Sequence, residues 1–117
     1  MDERKIEVLQ ATLKKAWSIQ SSSKWSVENP AKGQCGVTTL VINDQLGGGI
    51  FKTRLPEGWH FYNIIEHQRY DFTVSQFSES IMYEDIPSNR NEALMDCNDQ
   101  QYMYLKQKVS DLLTKRG

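Results

Sequence analysis

The sequence predicts a single α+β domain over residues 1–117: a helix carrying a cysteine at its N-terminus, packed on a small antiparallel sheet and flanked by N- and C-terminal helices. Three observations predict it. Apolar residues recur at three- and four-residue spacing near both ends of the chain. Between Ile50 and Val74 the pattern changes to aromatic and β-branched runs broken by turn signals. No internal repeat, low-complexity tract or linker divides the chain.

Ile6, Leu9, Leu13, Ala16 and Trp17 form one apolar stripe, which predicts an amphipathic helix from about residue 3 to 19, ended by Ser21-Ser22-Ser23. Trp25 follows in a polar stretch closing on Asn29-Pro30, and 24–32 reads as loop or extended because proline biases its predecessor away from helix. Val37, Leu40, Val41 and Ile42 form an apolar block stopped by Gly47-Gly48-Gly49, so 34–46 reads as a buried helix with a glycine C-cap. The β-branched content of that block leaves a strand open as well. Ile50 to Leu55 alternates as a strand does, and Pro56-Glu57-Gly58 makes a turn. The runs 59–65 and 70–74 read as a β-hairpin around the polar stretch Glu66 to Arg69. Residues 75–91 read as irregular and acidic. Asn98 then caps a last helix whose Tyr102, Leu105, Val109, Leu112 and Leu113 share one face.

Lys and Arg number 14 and Asp and Glu 15, a net charge of −1, with basic residues spread along the chain. That argues against nucleic acid, which needs a concentrated basic surface. Met1-Asp2-Glu3-Arg4-Lys5 lacks the apolar core of a signal peptide, and no stretch approaches the roughly 20 apolar residues of a membrane span. Two cysteines are too few for a disulfide scaffold, so a cytoplasmic setting is expected, with a small-molecule or peptide substrate and no cofactor. No pair among Cys35, His60, His67 and Cys97 has the close spacing of a zinc site, and no metal is expected.

Cys35 is the most suggestive position. It sits in Lys32-Gly33-Gln34-Cys35-Gly36 at the expected start of a helix, where free N–H groups and the helix dipole favour a thiolate. Those amides, that of Cys35 first, also suit a developing oxyanion, and the flanking glycines permit close approach of a substrate. His60 opens a strand and Asp71 lies on the next, an order that supplies base and orienting group for a cysteine nucleophile. Register decides whether they meet. A three-residue loop over 66–68 puts Asn63 opposite Asp71, on the wrong face for His60. An even loop pairs Ile64 with Arg69 and Tyr62 with Asp71, making Asp71 a diagonal neighbour of His60.

Around this set, Trp25, Gln34, Tyr62 and Asn63 are candidate substrate contacts. Each has a structural alternative: Gln34 as a stand-in N-cap, Trp25 as packing over the first helix. Cys97, between Asp96 and Asp99, is a poor nucleophile because carboxylates hold a thiol protonated, and His67 reads as a solvated hairpin tip. Gly47-Gly48-Gly49 lacks the context of a phosphate loop.

Three blocks carry a resemblance: Asn29 to Val41, Gly58-Trp59-His60-Phe61-Tyr62-Asn63, and Asp71-Phe72-Thr73-Val74-Ser75-Gln76-Phe77. In this order they resemble the small bacterial YunG-like family, over nearly the whole chain. More distantly, Gly33-Gln34-Cys35 is similar to the helix-opening cysteine motif of transglutaminases and papain-like enzymes, and the Cys, strand-His, strand-polar order resembles NlpC/P60 peptidases. That resemblance implies a papain-like core with Cys35 as nucleophile, His60 as base and Asp71 as orienter. Gly36, however, stands where transglutaminases carry tryptophan. The expectation is a cysteine hydrolase or acyl transferase acting on an amide or thioester bond. The alternative is a binding module on the same fold, with Trp25, Trp59, Phe61 and Tyr62 around a groove.

Overall fold

A computed structural model describes residues 3–116. Its first helix, α1 (Glu3–Ala16), buries Leu9, Thr12, Leu13 and Ala16 on one face. It stops three residues short of the expected end because serine hydroxyls capture the backbone. Ser21 Oγ donates to Ser18 O and accepts from Ser18 N–H, each at 3.0 Å, and such local bonds compete with helix. Trp17, just past the end, donates its indole N–H to Thr38 Oγ1 at 2.9 Å and so ties the exit of α1 to the next helix.

That helix, α2 (Cys35–Leu46), is the centre of the molecule, with every residue from Cys35 to Ile42 buried. Tertiary burial here overrides the weak helix propensity of Val37, Thr38, Thr39, Val41 and Ile42. Gly47, at φ +73°, ends it and donates its N–H to Asn43 O. The segment between the two helices is loop, as expected, and it is pinned. Asn29 Nδ2 donates to Gln76 O (3.1 Å), Gly33 N–H to Gln76 Oε1 (3.3 Å), and Ser22 Oγ to Lys32 O (3.1 Å).

Four antiparallel strands follow: β1 (Gly49–Leu55), β2 (Gly58–Ile65), β3 (Gln68–Tyr70) and β4 (Ile86–Pro87), in the order β3-β2-β1-β4. The fold is α+β. In the β2–β3 hairpin Ile64 pairs with Arg69 and Ile65 with Gln68, which is the even-loop register. The turn is only Glu66-His67, with φ of +51° and +68°, the left-handed pair of a type I′ turn. His67 is exposed at its tip. His67→Gly should relieve about 1 kcal/mol of left-handed strain against about 0.5 lost to chain entropy. A small rise in urea midpoint is therefore expected, and a fall would contradict the strain.

The expected strand 70–74 ends at Tyr70, with a turn of 3-10 helix at Val74–Gln76 instead. The cause is Asp71, whose Oδ1 accepts from Thr73 N–H (3.2 Å) and Thr73 Oγ1 (3.3 Å) and turns the chain out of the sheet. Within the stretch expected to be irregular lie β4 and the start of α3 (Arg90–Met95). Pro87 in β4 sits at the sheet edge, where no further ladder bond is needed. Asn89 caps α3 by accepting from Glu92 N–H. Two links hold α3 down. Lys52 reaches Glu92 at 3.0 Å, and Arg90 contacts Asn43, Asp44 and Tyr102. The last helix, α4 (Asp99–Arg116), starts where expected: Asn98 and Gln101 exchange side-chain-to-backbone bonds at 2.8 and 3.2 Å in a capping-box arrangement. Its Leu105 and Val109 meet Leu9, Leu13, Val37 and Val41 in the main core. A second cluster of Cys35, Leu40, Ile50, Phe61 and Ala93 joins α2, the sheet and α3. Among the described residues no helix is long and apolar enough to cross a membrane.

Candidate functional site

A cleft of about 770 Å³ opens beside the N-terminus of α2. Its walls come from the 22–33 loop, the β1–β2 hairpin end with Trp59, His60 and Phe61, the turn at Gln76-Phe77, and the end of α3 at Met95-Asp96. Cys35 and His60 both line it.

His60 is set by burial and by one strong partner. Its Nε2 lies 2.7 Å from Asp71 Oδ2, with the two side chains only 2 % and 5 % exposed. Facing a carboxylate, Nε2 carries the hydrogen and donates it, which in the neutral ring leaves Nδ1 as the acceptor. The edge of Phe77 packs on the ring at 4.9 Å. Asp71 is itself fully employed: Oδ1 holds Thr73, and Oδ2 also accepts from Tyr83 Oη at 2.8 Å. Burial first, then this bond to Asp71, push the Tyr83 phenol above its ordinary range. Arg69 stacks over the Tyr83 ring and pairs with Asp85 at 2.7 Å.

Cys35 comes to a free stretch of sheet edge. On the side of β2 away from β1, β3 pairs only with residues 63–65 and leaves 60–62 unpaired, and the Phe61 backbone N–H lies close enough to the Cys35 sulfur to favour its thiolate. The thiol donates to Asp96 Oδ2 at 3.3 Å, and Gly36 N–H donates to the same oxygen at 3.1 Å. Cys35 and His60 are not hydrogen-bonded to each other. The expected thiolate stabilisation by the helix start is outweighed: burial first and then the Asp96 charge drive the thiol far up, while the Phe61 N–H pulls weakly down. A helix terminus contributes about 0.3–1 kcal/mol to an adjacent charge, less than desolvation and a touching carboxylate cost it. The glycine at 36 admits a helix, not a substrate. A Cβ there would lie 2.7 Å from Ala93 O and 2.7 Å from Asp96 Oδ2.

None of the four expected substrate contacts lines the cleft: Gln34, Tyr62 and Asn63 are buried and Trp25 is half-buried. Gln34 is fully buried, with Nε2 donating to Pro30 O. Asn63 is buried and donates to Thr39 O, tying β2 to α2. Tyr62 turns its hydroxyl to Asp85 Oδ1 at 2.9 Å. Trp25 packs against the main core. Polar and aromatic side chains placed by strand alternation look alike whether they face a cleft or a covering element; here Tyr83 and Asp85 meet Tyr62, and α2 takes Asn63. Cys97 is half-buried, its thiol pushed up to about 12 by burial and by Asp96 and Asp99.

A profile of the YunG protein family matches residues 5–114. The chain belongs to the YunG family. It is similar to the Bacillus subtilis (strain 168) protein described as "Uncharacterized protein YunG", with 53% identity over 105 residues, covering 90% of this chain and 91% of that one. No solved structure matches. Two residues of this YunG-family site escaped sequence reasoning. Asp96 sits in an acidic run, at the end of a helix too short to show in the sequence pattern. Tyr83 is the one aromatic residue in 78–91, which was a usable signal.

Proposed function

We propose that the chain is a cysteine-dependent hydrolase or acyl transferase acting on an amide or thioester bond, through Cys35, His60 and Asp71 in a papain-like arrangement. The observation that carries the reading is the buried 2.7 Å bond from His60 Nε2 to Asp71 on the wall of a cleft that Cys35 also lines. A histidine held by a carboxylate on the wall of a cleft that a helix-start thiol also lines is the set of groups a cysteine nucleophile requires.

In the reaction, His60 Nδ1 takes the Cys35 proton as the sulfur attacks the acyl carbon. The tetrahedral intermediate collapses, the leaving amine or thiol takes that proton, and a thioester remains on Cys35. Water or an acceptor nucleophile gives its proton to His60 and releases the acyl group, restoring the thiol. Hydrogen bonds between nucleophile and base are often looser before substrate arrives.

The second reading, a binding module, is favoured by one observation: the thiol's partner is Asp96 and not His60. Trp59, under the cations of Lys52 and Arg54, would then be the groove's aromatic wall. A panel of acyl-directed electrophilic probes separates the two. Labelling should fall on Cys35, vanish in Cys35→Ser, and drop by about a hundredfold in His60→Ala. Labelling of Cys35 that is indifferent to His60 would favour the binding module.

A further inference from the structure

Asp96 is the feature of this site that the expected triad does not use. It stands at the C-cap of α3, exposed as a residue, yet its carboxylate turns inward onto the first turn of α2. One oxygen, Oδ2, takes both the Cys35 thiol and the Gly36 amide. The approach is built into the packing. Any side chain at 36 would strike Ala93 O and Asp96 itself, so glycine there lets the end of α3 sit directly on the cysteine. Lys24 from the loop before α2 sends positive charge toward Asp96, as His60 does when protonated, Cys97 lies next to it, and the Asp71 charge also acts on Cys35. Desolvation nevertheless raises the Asp96 pKa.

We infer that Asp96 is the gate of this site: its carboxylate occupies the place of an acyl oxygen on the Gly36 amide and holds the Cys35 thiol by accepting its hydrogen, so that a substrate must displace it before Cys35 can turn to His60. Its role in catalysis rests on the reading of Cys35 as a nucleophile. Two donors at the start of α2 are engaged by an internal oxygen acceptor, and an acyl carbonyl offers the same chemistry without the charge. Displacement removes from the sulfur a like charge in direct contact.

The test is the rate of Cys35 alkylation by iodoacetamide between pH 6 and 9, followed by mass spectrometry in a Cys97→Ser background. Asp96→Asn keeps the shape and removes the charge. Asp96→Ser provides a second variant should the first fold poorly, and thermal melts establish folding for each. At pH 7 the folded variants should react at least about tenfold faster than the parent, since each unit taken off the thiol pKa gives tenfold more thiolate. Their rate profiles should also shift to lower pH. An equal or slower rate in the folded variants overturns the gate. Repeating the measurement with His60→Ala separates the two ideas. Acceleration that survives loss of His60 upholds the gate, and a parent rate indifferent to His60 removes His60 as the base. A His60-dependent parent rate with no acceleration upholds the base and overturns the gate.

Discussion

Asp71→Ala should cost about 3–5 kcal/mol of stability, a large fraction of what a domain of this size holds. The deletion leaves four donors without their acceptor: His60 Nε2, the Tyr83 hydroxyl, and the Thr73 amide and hydroxyl. Each buried orphan costs about 1–3 kcal/mol, with the imidazole the most enclosed of them. Asp71→Asn retains one acceptor oxygen and turns an N–H₂ toward donors on its other side, so about half that loss is expected. Urea midpoints at constant slope read the difference. If alanine at 71 is within 1 kcal/mol of the parent, the network is not worth what its geometry implies. The asparagine variant also frees the tautomer of His60, and its labelling by acyl-directed probes should fall toward that of His60→Ala.

Gly36→Ala should destabilise by about 2–3 kcal/mol, against the usual direction for this exchange inside a helix. Propensity alone favours alanine by up to about 1 kcal/mol. Here the added methyl would sit 2.7 Å from a backbone carbonyl, Ala93 O, and 2.8 Å from Asp96 Cβ. A carbonyl on a buried residue cannot swing aside as a side-chain tip can, so the end of α3 must shift, and overpacking of this kind costs about 1–3 kcal/mol or more. Because Asp96 moves with that end, Cys35 alkylation should accelerate in the same variant. An alanine variant as stable as the parent would show that α3 yields freely.

The elements legible in the sequence were those with period and length. α2 was readable from a continuous apolar block closed by glycine, and α4 from its stripe and the Asn98 cap. The pairing of Ile64 with Arg69, on which the meeting of His60 and Asp71 depended, could be narrowed to odd or even but not chosen. α3 and β4 were not legible, since six residues and two residues carry no periodic signal. The strand expected through Val74 was lost to a side chain: Asp71 bonds its own backbone two residues on, a local competition that aromatic and β-branched composition hides. Asp96 escaped for a related reason. Nothing in one sequence shows that an acidic helix end is folded back onto a cysteine 61 positions away.

The two jaws of the cleft are both fastened. One is the 22–33 loop, stitched to Gln76 and to itself by Asn29, Gly33 and Ser22. The other is α3, moored to the sheet through Lys52–Glu92 and to α2 and α4 through Arg90. What must turn aside at Cys35 itself is the Asp96 side chain. Admission to Cys35 then runs on the clock of rotamer exchange, picoseconds to nanoseconds, and not on that of a closing lid, microseconds to milliseconds. Turnover in such a site would be set by chemistry or by the departure of product.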